Sequence, residues 1–181
     1  MLIGIAGTLG AGKGTVVGYL KEIGYAHYST SAMFKAILES QGHVARRESY
    51  TWLGDAFRTL APAGPIAIQY EIAKNDTRDV IIESIHDVPE AEFLKAKGAV
   101  ILGVDATLET RYERISKRGS EKDDVTFEEF KNIALHEEGG GGKHHINDVV
   151  KMADYTIENN GTLEELHAQV DEILKKITQT N

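Results

Sequence analysis

A glycine-rich stretch near the start of the chain restricts the possible fold more than any other sequence feature. Residues 7–15 read Gly-Thr-Leu-Gly-Ala-Gly-Lys-Gly-Thr, follow the apolar run 2–6 and precede a helical pattern. A phosphate-binding loop needs these parts: a strand fixes its start, glycines let backbone N–H groups turn toward an anion, and the helix N-terminus adds donors. The stretch therefore predicts a strand–loop–helix unit that binds the phosphates of a nucleotide, with a plain tight turn as the alternative.

The spacing of Gly7, Gly12 and Lys13 is that of the motif G-x-x-x-x-G-K-[ST], with one difference. Gly14 stands where the motif has its hydroxyl residue, and Thr15 follows. The Gly-Lys-Gly-Thr ending resembles the nucleoside monophosphate kinases. The resemblance implies that ATP and Mg²⁺ are the cofactors, that Lys13 contacts the terminal phosphates and that Thr15 lies close to the metal. The loop residues predicted to bind the nucleotide are Gly7, Gly10, Ala11, Gly12, Lys13, Gly14 and Thr15.

Composition and charge narrow the class of protein. A chain of 181 residues, 41% hydrophobic and 27% charged, suits one domain with a single core. A net charge of -8 argues against a nucleic acid polymer as partner, because such binding relies on a basic surface. The chain has no cysteine, no apolar run near the ~20 residues of a membrane span and no room for a signal peptide before the first strand. We therefore expect a cytoplasmic protein without a membrane partner, and its oligomeric state is left open.

Apolar β-type segments alternate with helical patterns, which is typical of an α/β fold with a parallel sheet. The expected strands are 2–6, 25–28, 80–84, 99–105 and 154–157. The expected helices are 15–23, 31–41, 52–60, 89–97, 111–118 and 163–177, with capping boxes at Thr126 and Thr162. We expect a three-layer α/β sandwich with a five-stranded parallel sheet. The resemblance implies the architecture of a P-loop nucleotide kinase over 1–181, with an acceptor-binding insertion at about 36–79 and a short lid at about 119–148.

Residues 27–35, His-Tyr-Ser-Thr-Ser-Ala-Met-Phe-Lys, resemble the adenylate kinase stretch His-x-Ser-Thr-Gly-Asp-Met-Leu-Arg, which lines the acceptor pocket in that family. The resemblance implies that Thr30 and Lys35 bind the acceptor, although lysine lacks the fork of arginine. A helix N-cap at Thr30 or Ser31 and a solvated lysine are the alternatives. Nucleotide kinases place acceptor-binding helices in the next stretch, where Arg58 is the candidate for the acceptor phosphate and a surface salt bridge is the alternative.

The third expected strand ends in a carboxylate, Glu83. Because ligands bind beyond the carboxyl ends of parallel strands, Glu83 should face the phosphates and hold magnesium. The local pattern resembles Asp-Gly-Ile-Arg in relatives of adenylate and dephospho-coenzyme A kinases, with Glu83, Ser84 and His86 in place of aspartate, glycine and arginine. His86 is then a weaker acceptor ligand, since histidine is mostly neutral near neutral pH.

Three arginines follow the fourth expected strand. Arg111, Arg114 and Arg118 lie three and four residues apart, so they project from one face of a helix. They resemble the Arg-x-x-x-Arg-Gly of nucleotide kinases, in which such arginines hold the donor phosphates and stack near the adenine. The resemblance implies that Arg114 and Arg118 act in catalysis with Lys13 and Glu83. Pairing with carboxylates of the same helix is the alternative.

Two later segments complete the predicted donor side. Residues 120–124, Ser-Glu-Lys-Asp-Asp, resemble the start of the adenylate kinase lid, and the four glycines at 139–142 predict a mobile loop beside Lys143. Residues 154–162 resemble the last strand and loop of dephospho-coenzyme A kinases, in which the loop borders the donor adenine. The resemblance implies that Asn160 and Gly161 bind the nucleotide, whereas a plain Asn-Asn-Gly turn explains them equally well.

These resemblances imply an ATP- and Mg²⁺-dependent enzyme that transfers the γ-phosphoryl group of a nucleotide donor to a nucleoside monophosphate, a small phosphorylated acceptor. A dephospho-coenzyme A kinase-like enzyme is the first alternative. The second is a nucleotide-binding sensor without phosphoryl transfer, because position 86 and the lid lack arginine. A GTPase is not expected, since no Asn-Lys-x-Asp motif is present.

Overall fold

A computed structural model describes residues 1–61, 63–118, 125–137 and 145–180. In these residues the strands are β1 (Leu2–Gly7), β2 (Ala26–Ser29), β3 (Val80–Glu83), β4 (Val100–Asp105) and β5 (Tyr155–Glu158). All of them run parallel, in the order β2-β3-β1-β4-β5. The predicted five-stranded parallel sheet is confirmed, and every predicted strand end lies within one residue of the observed one.

The described helices alternate with these strands. They are α1 (Lys13–Glu22), α2 (Thr30–Ser40), α3 (Arg47–Leu60), α4 (Gly64–Ala73), α5 (Val88–Ala96), α6 (Leu108–Arg118), α7 (Phe127–Glu137), α8 (Ile146–Lys151) and α9 (Leu163–Thr180). Both predicted capping boxes form: the Glu129 carboxylate accepts from Thr126 N at 2.7 Å, and the Glu165 carboxylate accepts from Thr162 N at 2.8 Å. Helices α4 and α8 were not predicted from the sequence.

The sheet is buried on both faces, so the sandwich has three layers. Alternate side chains of each strand point to opposite faces. One apolar cluster joins Ile3 and Ile5 of β1 to helices α1 and α9. The other joins Val80 and Ile82 of β3 to helices α4, α5 and α8. The apolar stripe predicted on the last helix packs into the first cluster through Leu166, Val170, Ile173 and Ile177.

The position of β1 determines where a ligand site can form. β1 lies in the middle of the sheet, between β3 and β4, and the chain crosses from one side of β1 to the other. Such a switch point leaves a crevice beyond the carboxyl ends of the strands. The loops after β1, β3 and β4 therefore meet at one edge of the sheet.

Helices α2 and α3 form a small apolar cluster of their own. Phe34, Leu38 and Leu53 are its buried members, and the Phe34 and Phe57 rings stack with centroids 5.7 Å apart. These helices fall in the segment expected to bind an acceptor, and the boundaries of that insertion and of the lid remain predictions. Within the described ranges, no helix combines the length and apolar character needed to cross a membrane.

Candidate active site

The loop between β1 and α1 has a backbone that only glycine adopts easily. Gly10 and Gly12 have φ angles of 83° and 93°, in the left-handed region. A Cβ atom on Gly12 would lie 2.2 Å from Asn159 Nδ2, and one on Gly7 would lie 2.8 Å from the Val104 carbonyl oxygen. The loop ends at the N-terminus of α1, where the first backbone N–H groups are available to an anion.

Side chains from the β4 side of the sheet hold the first half of this loop. The Thr8 hydroxyl donates to Asp105 Oδ1 at 2.8 Å, and Asp105 ends β4 as Glu83 ends β3. The guanidinium of Arg111, which is buried, donates to the Leu9 carbonyl oxygen at 2.8 Å. Arg111 therefore supports the loop backbone, whereas Arg114 and Arg118 of the same helix line the hollow described below.

The second half of the loop is held from the segment after β5. Asn159 Nδ2 donates to the Ala11 carbonyl oxygen at 2.8 Å, and Arg114 Nη2 donates to Asn159 Oδ1 at 3.2 Å. Arg114 Nη1 also reaches Ala11 O, at 3.3 Å. Because these donors occupy loop carbonyl groups, the loop N–H groups can face an anion.

A hollow of about 330 Å³ lies between the loop, α6 and the start of α9. It brings together most of the residues predicted to bind the nucleotide, and two leucines of α9 form its apolar side. Its lining residues are Gly10, Gly12, Thr15, Arg114, Arg118, Asn159, Gly161, Thr162, Leu163 and Leu166. Asn160 does not line it: its Oδ1 accepts from the Thr107 backbone N–H at 2.8 Å. The structure thus brings Asn159 to the hollow beside Gly161.

Lys13 and Glu83 meet beyond the carboxyl ends of β1 and β3. Lys13 Nζ lies 2.7 Å from Glu83 Oε2, and His27 Nε2 of β2 lies 3.0 Å from Glu83 Oε1. Within the described residues the buried Nε2 atom has no hydrogen bond of good geometry, so His27 is a close neighbour of Glu83 Oε1. Burial raises the pKa of Glu83, but the contacts with His27 and Lys13 outweigh burial and lower it to about 2. Glu83 is therefore ionised at neutral pH.

Thr30 lies at the junction of β2 and α2. Its side chain is buried, and in the part of the chain that the structure describes its hydroxyl oxygen has no hydrogen-bond partner. The N-cap of α2 is Ser29, whose hydroxyl accepts from Ala32 N at 3.3 Å, so the alternative of a cap at Thr30 or Ser31 is wrong. A buried hydroxyl without a partner costs free energy, so Thr30 Oγ1 has an unfilled capacity to bind a ligand.

The strand β3 ends in an unusual backbone conformation. Ser84, which was expected to continue the strand, has a φ angle of 70° and is buried. Its hydroxyl lies 3.5 Å from that of Ser31 at the start of α2. Ser84 stands where the resembling motif has glycine, and its left-handed backbone accounts for a glycine at that position.

Two residues predicted to bind the acceptor, Lys35 and Arg58, are paired with carboxylates of the protein. Lys35 is 59% exposed and lies 3.8 Å from Glu39, as the solvated alternative expected. Arg58 is held by two carboxylates: Nε lies 2.7 Å from Asp87 Oδ2, and Nη2 lies 2.8 Å from Glu90 Oε1. Arg58 is 17% exposed, so this ion pair is largely buried rather than a surface salt bridge.

The buried carboxylate of Glu90 anchors the loop after β3. Glu90 is fully buried, and burial raises its pKa despite the charge of Arg58. Its Oε2 accepts from the backbone N–H of His86 at 2.8 Å and of Asp87 at 3.3 Å. The backbone of His86, a predicted acceptor ligand, therefore belongs to the cap of α5.

Much of the predicted lid lies outside the described residues. These parts are 119–124 and 138–144, which include Lys122, Lys143 and the four glycines. Between them, α7 packs firmly on α6: Phe130 is buried, and the rings of Tyr112 and Phe127 meet edge to face with centroids 5.2 Å apart.

Three residues that contact the loop or Glu83, the partner of Lys13, were not singled out from the sequence. They are His27, Asp105 and Asn159. The rule that placed Glu83 at a strand end applies equally to Asp105, and His27 begins the stretch 27–35 that carries the adenylate kinase resemblance. Asn159 is one residue from the predicted Asn160, and only the register of β5 against β4 distinguishes the two.

Comparison with known proteins agrees with this geometry. A family model described as an AAA domain matches residues 3–136. A UPF0200 protein of Hyperthermus butylicus is 29% identical over 181 residues, covering 98% of this chain and 95% of that protein.

Solved structures show the same fold. The shikimate kinase from Aquifex aeolicus has a TM-score of 0.63 at 18% identity, covering 99% of this chain and 98% of that one. The shikimate kinase from Acinetobacter baumannii in complex with shikimate has a TM-score of 0.61 at 19% identity, covering 99% of this chain and 94% of that one. At these identities the likeness concerns the fold, which is that of the P-loop kinases.

Proposed function

Because the chain belongs to the AAA domain family and has a P-loop kinase fold, we propose that it uses ATP and Mg²⁺ to transfer a phosphoryl group to a nucleoside monophosphate. The observation that carries the proposal is the 2.7 Å contact between Lys13 Nζ and Glu83 Oε2. It joins the predicted phosphate ligand and the predicted metal carboxylate at the carboxyl edge of the sheet. Phosphoryl transfer depends mainly on such positioning and on charge stabilisation.

The donor side has the groups that ATP needs. The loop N–H groups and Lys13 would bind the terminal phosphates, while Arg114 and Arg118 would stabilise charge from the hollow. Leu163 and Gly161 offer an apolar edge to the base. Each of these roles can be tested by a substitution.

The proposed metal ligands fit the chemistry of magnesium. Thr15 and Glu83 supply oxygen atoms, which Mg²⁺ prefers, and Glu83 is already ionised because its pKa is about 2. A Mg²⁺ ion held by Thr15 and Glu83 would supply positive charge to offset the negative charge of the phosphates. Once Lys13 turns to the phosphates, the Glu83 carboxylate would be available to the magnesium ion.

The acceptor would bind beyond the carboxyl ends of β2 and β3. Thr30 Oγ1 is buried without a described partner, and Ser31 and Ser84 bring two more hydroxyl groups to this place. The register aligns Ser29 with Glu83, so these hydroxyl groups stand next to the proposed metal carboxylate. A phosphate, with several oxygen atoms, could accept hydrogen bonds from all three hydroxyl groups, and a ring hydroxyl from two of them.

One observation favours a second candidate, a hydroxylated acceptor that carries less charge than a monophosphate. The charge of Arg58 is compensated by Asp87 and Glu90, and Lys35 faces solvent. The two cations predicted to bind an acceptor phosphate, Lys35 and Arg58, are thus engaged with carboxylates or with solvent instead. A compound such as shikimate, bound in one of the structures of the same fold, belongs to this class.

A single assay distinguishes these functions. Release of ADP from ATP and Mg²⁺ is followed with nucleoside monophosphates, dephospho-coenzyme A, shikimate or no acceptor. We expect turnover with a monophosphate and a loss of kcat/KM of about 10²-fold or more in Lys13→Ala, because Lys13 contacts the transferring group. Lys21→Ala, on an exposed position of the same helix, is the matched control.

The other outcomes have definite meanings. Turnover with shikimate alone would replace the monophosphate by the second candidate. Tight ATP binding with no acceptor-dependent ADP release would contradict both and favour a nucleotide sensor. Turnover with dephospho-coenzyme A alone would identify the alternative acceptor implied by the sequence.

A further inference from the structure

His27 is a titratable side chain at the site that the proposed function does not use. It lies on β2, and its partner in the sheet register is Ile81, two residues before Glu83 on β3. Residues two positions apart on a strand point to the same face of the sheet, so Glu83 shares a face with Ile81 and with His27 beside it. The register of two neighbouring strands therefore brings the imidazole to the carboxylate.

The two oxygen atoms of Glu83 have different neighbours. Oε2 lies 2.7 Å from Lys13 Nζ, and Oε1 lies 3.0 Å from His27 Nε2. His27 and Glu83 are 21% and 13% exposed, so water has limited access to the contact. Lys13 is at the end of the loop that would bind the phosphates, whereas His27 is on strand β2. Lys13 can therefore turn to a bound nucleotide while His27 stays beside Glu83.

We infer that His27 is a positioning residue, which holds Glu83 in place for magnesium when Lys13 turns from Glu83 to the nucleotide phosphates. The inference rests on the proposed use of ATP and Mg²⁺. Without a second neighbour, Glu83 would lose its orientation at the moment the metal needs it. The last torsion angle of a glutamate side chain is soft, so Oε1, which already lies 3.0 Å from Nε2, is free to turn toward it.

The effect of His27 should be confined to the metal. Groups that orient a metal ligand typically change metal affinity about 10- to 100-fold when removed. Nucleotide binding through the loop N–H groups and Lys13 involves no contact with His27 and should persist. A merely structural histidine would instead change stability and leave the metal response unaltered.

The test measures ATP binding by calorimetry, at one pH, in EDTA and in excess Mg²⁺. The ratio of the two affinities reports the contribution of the metal without any catalytic turnover. We expect His27→Ala to reduce this ratio about tenfold and to leave the affinity in EDTA within about twofold of the wild type. His27→Gln should recover most of the ratio, because its amide N–H group can donate to Glu83 Oε1, the atom that lies 3.0 Å from Nε2 in the wild type.

Matched controls isolate the effect. His167→Gln removes a histidine that does not contact Glu83. The His167 ring stacks on that of Tyr19 with centroids 3.9 Å apart, so this change should leave the ratio unchanged. Glu83→Gln should reduce the ratio at least as much as His27→Ala. Thermal unfolding identifies a variant that does not fold, and His27→Gln, which keeps a polar side chain, preserves the test if His27→Ala unfolds.

The outcomes separate this inference from the proposed function. An unchanged ratio in His27→Ala, or an equal loss of affinity with and without Mg²⁺, would overturn the role of His27. A wild-type protein that binds ATP no more tightly with Mg²⁺ would overturn it as well. Failure of every acceptor to be phosphorylated, with the ratio responding as expected, would overturn the proposed transfer and leave the role of His27 supported.

Discussion

Gly12 and Gly14, on either side of Lys13 where the loop after β1 leads into α1, differ in what their backbones require. Gly12 has a φ angle of 93°, and a Cβ there would lie 2.2 Å from Asn159 Nδ2. A Cβ on Gly14 would meet nothing within 4 Å, and many phosphate-binding loops carry serine or threonine at that position. The backbone at Gly12 therefore requires glycine, whereas the space around Gly14 would accommodate a side chain.

We predict opposite effects when each is replaced by alanine. Gly12→Ala should lower ATP affinity at least tenfold and reduce the free energy of unfolding by about 1–2 kcal/mol, because it strains the backbone and displaces Asn159. Gly14→Ala should raise the free energy of unfolding by about 0.5–1 kcal/mol, since glycine within a helix is entropically costly. Urea unfolding and ATP titration measure both. Equal loss of affinity in the two variants would contradict the assignment.

Glu83 makes stability depend on acid pH. Its pKa falls from an ordinary 4.5 to about 2 in the folded protein, so on acidification the unfolded chain takes up the proton first. The stabilisation by ionised Glu83 is complete above about pH 4.5 and is lost as the pH falls toward about 2. Glu90, whose pKa burial raises, acts in the opposite direction, because its protonation favours the folded state.

We therefore predict that Glu83→Gln is less sensitive to acid than the wild type. Between about pH 5 and pH 2.5 the wild type should lose roughly 2.5 kcal/mol more of its free energy of unfolding than the variant does. Urea unfolding of both proteins across this range measures the difference, and contributions common to both cancel. Parallel pH curves would show that Glu83 does not titrate as described.

At the scale of secondary structure elements, a buried ion pair connects α3 to the start of α5. Arg58 of α3 contacts Asp87 and Glu90, and Glu90 in turn caps the backbone before α5. Removing one partner of such a pair leaves an uncompensated buried charge, which is far more costly than losing an exposed pair. Arg58 therefore fixes the orientation of α3 relative to the start of α5.

We predict that Arg58→Met lowers the free energy of unfolding by about 3–5 kcal/mol and that a second change, Glu90→Gln, recovers part of the loss. The control is Lys176→Met, which breaks a pair with Glu172 that is exposed on both sides and should cost at most about 1 kcal/mol. Urea unfolding measures all of them. If the single Arg58 variant is as stable as the Lys176 variant while acceptor KM rises, Arg58 is a substrate ligand after all.

The helices and strands themselves were predictable where their pattern is local. The strands β1, β3 and β4 are short, largely buried apolar runs, and α9 has a regular apolar stripe. Helix α4 was missed because Pro-Ala-Gly-Pro, which spans its start, is typical of a break, although Pro65 in the first turn favours a helix start. Helix α8, with six residues, is too short for a periodic signal.

At the scale of the whole molecule, the predictable part of the candidate site was the part with fixed spacing. The loop residues and the arginines of α6 lie at set intervals in the chain, so their convergence at the hollow could be anticipated. The pairs Arg58 with Glu90 and His27 with Glu83 join different elements, and they depend on strand register and helix orientation. No pattern within a single segment encodes such contacts.

The central position of β1 has a consequence for how a chain of this kind can diversify. After the loop, the backbone builds the β2 and β3 side of the sheet first and the β4 and β5 side afterwards. The residues on each side of the crevice therefore come from one uninterrupted stretch of the gene. Recombination that replaces the stretch between α1 and β4 would exchange one wall of the crevice and keep the Asn159 and Arg114 contacts to the loop. Relatives could thus acquire different small-molecule partners by single segmental exchanges.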